Sequence, residues 1–134
     1  MITDALLEFD HDYLLAASAA STNSVDQGAA GDALDGSQLW LVARCGTLLN
    51  SAGNGATFKL ALQHDSATGF GGATDAMSVS ILEAVFVANT VFWAAKLPKG
   101  LLRYLRCNYT VSGENFTTGT IDVFLTPNID VLFA

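Results

Sequence analysis

Three groups in this chain bring chemically active residue types close together. His64-Asp65-Ser66 holds the three side chains of a hydrolytic relay, and Asp10-His11-Asp12 sets an imidazole between two carboxylates, a donor set suited to Zn²⁺. Asp26, Asp32 and Asp35 lie among Gly28, Gly31 and Gly36, where hard oxygen ligands on flexible backbone suit Ca²⁺. Spacing argues against each. Consecutive strand residues project to opposite faces, so His64, Asp65 and Ser66 cannot form a relay among themselves. No Gly-x-Ser-x-Gly elbow is present. Only His64 offers the Asp10-His11-Asp12 group a second imidazole, and that group reads as a solvated turn. The three aspartates miss the D-x-[DN]-x-[DN]-G calcium pattern and read as turn supports that bond their own backbone. Gly53-Asn54-Gly55 and Gly69-Phe70-Gly71 do not extend to a dinucleotide fingerprint, and no Gly-Lys-Ser/Thr is present for phosphate. The expectation is a protein that is not an enzyme, with no catalytic residue, no cofactor and no metal.

Composition narrows the class further. The 134 residues fit one domain and can bury a core without disulfides or metals. With 51% hydrophobic and 14% charged residues, the chain is too apolar for disorder, and its composition suits either a compact β domain or a surface partly covered by a partner. A net charge of −7 with no basic run repels phosphate, so no nucleic-acid partner is expected. The apolar stretch near Ala84 to Val91 is too short to span a bilayer, and no membrane partner is expected. Met1-Ile2-Thr3-Asp4 lacks the basic start of a signal peptide, which predicts synthesis and folding in a cytoplasm. Cys45 and Cys107 lack metal-ligand spacing. Each falls on an apolar strand face, where Cys acts as a small core hydrophobe, and whether they pair is open.

The elements that must position these residues are strands. Leu101 to Gly113 and Gly119 to Pro127 both alternate between two faces and read as an antiparallel hairpin. Gln38 to Gly46 alternates Leu39, Leu41, Ala43 and Cys45 against Gln38, Trp40, Val42 and Arg44. Ala56 to His64 answers it across Asn50 to Gly55 as a second hairpin. Leu14 to Ala20, Ser78 to Ala84 and Thr90 to Leu97 read as further strands, and Val25 to Ser37 and Asp65 to Asp75 as loops. Residues 1–13 suit a short helix or an arm that pairs with a sheet edge. The prediction is one antiparallel β-sandwich or jelly roll of about eight strands over residues 1–134, with residues 128–134 as a C-terminal tail.

Two features suit partner binding. Arg106 shares an outward face with Tyr104, Asn108 and Thr110, a stripe of the composition enriched at interfaces; an ordinary solvated face with Arg106 paired to Asp122 fits equally. The tail ends in Val131, Leu132 and Phe133, apolar side chains that should dock on their own domain or on a neighbour.

Leu97-Pro98-Lys99-Gly100, Arg103-Tyr104-Leu105-Arg106, Asn108 to Gly113 and Gly119 to Thr126 together resemble the cement proteins on the heads of short-tailed phages of the Bordetella type. Ala19 to Asn23, Asn50 to Gly53 and Leu60 to Asp65 join the likeness, which covers about Ala17 to Thr126. The resemblance implies a jelly-roll virion protein on the outer capsid surface. It would bind the major capsid protein and copies of itself, as a dimer or trimer, and stabilise the head. A competing reading is a carbohydrate- or ligand-binding sandwich using Trp40, Trp93 and the Gly-Asp loops.

Overall fold

The computed structural model describes residues 7–27 and 39–127, and within them the chain is a two-sheet antiparallel β-sandwich. Eleven strands run in chain order: β1 (Glu8–Leu14), β2 (Ala19–Ala20), β3 (Val25–Asp26), β4 (Trp40–Cys45), β5 (Asn50–Ser51), β6 (Thr57–Asp65), β7 (Thr74–Leu82), β8 (Thr90–Lys96), β9 (Tyr104–Ser112), β10 (Phe116–Thr118) and β11 (Thr120–Thr126). The first sheet is ordered β1-β11-β4-β8. The second is ordered β2-β9-β6-β7, with β3 also on β9; β5 and β10 form a small ribbon. Since β2 and β3 both pair with β9, they act as one interrupted edge strand, and the sandwich then has the eight strands expected. Among the described residues no helix is long and apolar enough to cross a membrane.

The alternation read from sequence sets the core. Leu41, Ala43 and Cys45 of β4 and Ile121, Val123 and Leu125 of β11 face Phe58, Leu60 and Leu62 of β6 and Leu105, Cys107 and Tyr109 of β9, all buried. Phe58 lies centrally. Its ring sits 5.9 Å from Tyr109, 6.0 Å from Phe92 and 6.1 Å from Phe86, the tilted and edge-on spacing that aromatic quadrupoles favour. Phe92 reaches this cluster because it is the extra residue of a bulge: Ala43 pairs with Trp93, but Arg44 pairs with Val91.

Both expected hairpins are corrected. β9 and β11 belong to opposite sheets, as do β4 and β6. Two strands that face one core from opposite sheets carry the same alternation as two hydrogen-bonded neighbours, so the pattern gives the face and not the partner. The connections enforce the crossing. Gly113 (φ +82°) and Gly119 (φ +123°) bracket β10, and a Cβ on Gly119 would come within 2.6 Å of the Leu49 Cα. Glu8 to Leu14 form the edge strand β1, paired with β11, whereas residues 1–6 of the expected helix or arm lie outside the described residues. The expected strand over Leu14 to Ala20 reduces to Ala19–Ala20. Its alanine-rich run instead crosses the end of the sandwich, with the Leu15 N–H donating to the Gly119 carbonyl and the Phe116 N–H to that of Ala16. Cys45 and Cys107 are buried and unlinked, one in each sheet. Burial pushes both thiols above their usual range, that of Cys107 strongly.

Candidate interaction surface

The Tyr104–Arg106 stripe lies on the outer face of β9, near the strand's start. Arg106 is not a free cation there. Its Nε donates to the Gln63 Oε1 at 2.9 Å and its guanidinium stacks 4.7 Å from the Phe70 ring centroid. The register explains this, because Arg106 pairs across to Gln63 on β6. Gln63 donates in turn to Asp75, which also meets Lys59 at 3.5 Å. Arg103 forms a two-pronged pair with Asp26 at 2.8 and 3.0 Å and lies 5.0 Å over the Tyr104 ring. The expected Arg106–Asp122 pair is corrected: Asp122 is on the other sheet, opposite Arg44, whose Nη1 lies 3.4 Å from it. Val131, Leu132 and Phe133 lie outside the described residues, as do Asp32 and Asp35.

The chemically suggestive groups are also placed. The His64 Nδ1 accepts the Leu102 N–H, whereas Asp65 accepts the N–H groups of Ala67 and Gly72 and braces the 66–73 turn. Partial burial opposes the charge on Asp65, but the Gly72, Ala67 and Ser66 donors outweigh it and hold its carboxyl below the ordinary carboxylate range. Asp10-His11-Asp12 is not a turn. It belongs to edge strand β1, where a bulge puts Asp12 at φ +47°. Asp10 points into the core, accepting the Tyr109 hydroxyl at 2.5 Å and the Thr22 N–H at 3.2 Å. His11 turns outward between two carboxylates, Asp12 at 3.3 Å and Asp122 at 3.2 Å. Asp122, distant in sequence, completes a set whose ligand atoms lie within 4.8 Å of one another. The Arg44 guanidinium already meets Asp122, and each imidazole nitrogen lies beside one of these carboxylates. Trp40 and Trp93 do not share a face. Trp40 stands on the outer side of β4 beside Lys96, whereas Trp93 packs against the core.

A feature the sequence reading missed lies at the end of the sandwich away from Tyr104. The large apolar side chains exposed among the described residues are Leu14, Leu48, Leu82, Val85 and Val87. All five gather at this one end. Leu14 closes β1 opposite Thr120, Leu48 sits in the loop that bonds Thr120 through Thr47, and Leu82 ends β7 opposite Thr57. Val85 and Val87 belong to the Glu83–Asn89 crossing, which is tied down by the Glu83 N–H to the Ala56 carbonyl and the Asn89 N–H to that of Gly46. The only sequence signal was the apolar run Ala84 to Val91, which periodicity cannot divide into buried and exposed members.

No curated protein matches the chain. A family model described as Bbp16, a name that points to a Bordetella phage protein, matches residues 10–125, from within β1 to within β11. The chain belongs to the Bbp16 family.

Proposed function

We propose that this protein is a structural component of a phage virion: a cement, or decoration, protein that binds the outer surface of the head and stabilises contacts between major capsid proteins. Membership of a phage-associated family carries the reading. The architecture supports it. The two-sheet antiparallel sandwich, with strand orders β1-β11-β4-β8 and β2-β9-β6-β7, supports a jelly-roll reading, in which such a scaffold presents surface at both ends. Such a protein acts by additive burial. Each contact contributes modestly, and symmetric copies bridging several capsid subunits gain through avidity. Self-association belongs to the same proposal, since β7 and β8 are sheet edges that another copy can cover. Co-sedimentation with heads that lack the protein tests it. Saturable binding at a fixed ratio to capsid subunits, with heads that survive higher temperature, is expected. A folded protein that leaves head stability unchanged and stays in the supernatant refutes the proposal.

A further inference from the structure

We infer that the end bearing Leu14, Leu48, Leu82, Val85 and Val87 is a docking surface for another protein, one that presents an aliphatic side chain next to a Lys or Arg. The inference rests on the cement reading and names the part of the molecule that does the binding. Three observations carry it.

The first is segregation. Leu14 is 75% exposed, Leu82 64%, Val85 60%, Val87 59% and Leu48 43%, with Leu14 at the β1 side of this end and Leu82, Val85 and Val87 at the β7–β8 side. A compact sandwich has no internal reason to gather these side chains at one end. The second is shape. A cleft of about 260 Å³ opens among Leu48, Leu49, Asn50, Asn54, Glu83 and Phe86. That is below the roughly 300 Å³ at which small-molecule pockets begin, and it suits a protruding side chain.

The third is charge. The segments that build this end, residues 14–18, 46–56, 83–89 and 112–119, contain Glu83 and Glu114 and no Lys or Arg. Two cations flank this end but are engaged: Arg44 on the outer face of β4 with Asp122 and Asn89, and Lys59 of β6, two residues from Thr57, with Asp75. Four of the six cations, Lys96, Lys99, Arg103 and Arg106, lie towards the opposite end. Glu83 lies buried beside the cleft, where it accepts the Ser51 hydroxyl at 2.5 Å and the Ala56 N–H, and the Ser51 bond holds its carboxyl below the ordinary range; Glu114 accepts the Gly53 and Gly55 N–H groups, so both keep a negative charge that neutral donors do not cancel. Two copies meeting end to end would oppose Glu83 and Glu114 to their own counterparts. A partner offering a cation beside an aliphatic group matches both the charge and the cleft.

The test compares the full chain with V85D/V87D for binding to heads that lack it. Both valines are exposed, so the variant should keep the wild-type circular dichroism and Tm. Binding should weaken about 100-fold, as expected when charge enters the centre of an apolar contact. A V85C variant carrying a benzophenone maleimide should cross-link to a capsid subunit within a segment holding both an aliphatic and a basic residue. Buried Cys45 and Cys107 leave position 85 as the reactive thiol. Wild-type and V85D/V87D proteins that bind heads equally overturn this inference and leave the cement reading standing. Heads that refuse the wild-type protein overturn both. A change in the mass of the free protein on V85D/V87D substitution, with head binding intact, overturns it in favour of an interface between copies.

Discussion

Replacing Tyr109 with Phe isolates one buried interaction. The hydroxyl donates to the Asp10 Oδ2 at 2.5 Å, with Asp10 3% exposed and Tyr109 fully buried. The substitution removes no carbon and leaves no large cavity, so the hydrogen bond dominates the effect. The acceptor is a carboxylate, and hydrogen bonds to charged groups contribute about 1.5–3 kcal/mol. Asp10 would keep only the Thr22 N–H, shared between its two oxygens at 3.2 Å each. The deficit therefore falls in the upper half of that range, about 2–3 kcal/mol. At about 2.1 cal/mol/K of unfolding entropy per residue, a 134-residue domain loses about 3–4 °C per kcal/mol, so Tm should fall by about 7–11 °C. Urea unfolding at pH 7 with an unchanged m-value reads the free energy directly. A loss below about 0.5 kcal/mol would refute the reasoning, since it would mean that Asp10 finds another donor once the hydroxyl is gone.

Further outcomes follow from the same core and its connections. Burial and the neighbouring Cys107 and Asp10 push the Tyr109 phenol far above its usual pKa, so the unfolded chain ionises first; stability should fall above about pH 10 by about 1.4 kcal/mol per pH unit from this group, and Y109F should flatten that slope in alkaline unfolding curves. Cys45 and Cys107 should resist a thiol reagent in the native protein and react together as the chain unfolds; fast reaction under native conditions would contradict their burial. Gly119→Ala should cost about 3 kcal/mol or more because its Cβ meets the Leu49 backbone at positive φ, whereas Gly69→Ala, with open space around it, should change Tm little.

Strand faces were legible in the sequence and strand neighbours were not. Leu39, Leu41, Ala43 and Cys45, and later Ile121, Val123 and Leu125, point inward as their alternation requires. Alternation carries no information about which sheet holds a strand, so the adjacent segments β4 and β6, or β9 and β11, read as hairpins although each pair spans the core. Buried charge was equally silent. Asp10 and Asp122 gain their places from Tyr109 and Arg44, which lie 99 and 78 residues away. The Tyr104–Arg106 stripe was placed correctly on an outer face, but sequence could not show that Gln63 and Phe70 already engage the guanidinium. Val85 and Val87 resemble core residues in type, and only the Glu83–Asn89 crossing turns them outward.

The pairing of β1 with β11 also governs when the molecule can fold. Asp12 bonds Asp122 across 110 residues, and Glu8 lies opposite Phe124. During synthesis β1 therefore has no edge to join until β11 has left the ribosome, and β4 lacks one of its two neighbours for the same interval. Loop closure over such a span precedes the contacts that reward it, which makes folding slow for the chain's size. Early strands must wait with open edges, so a nascent chain stalled before Thr120 is a species for chaperones and proteases, and the β1–β11–β4 part of the sheet closes only once β11 is available.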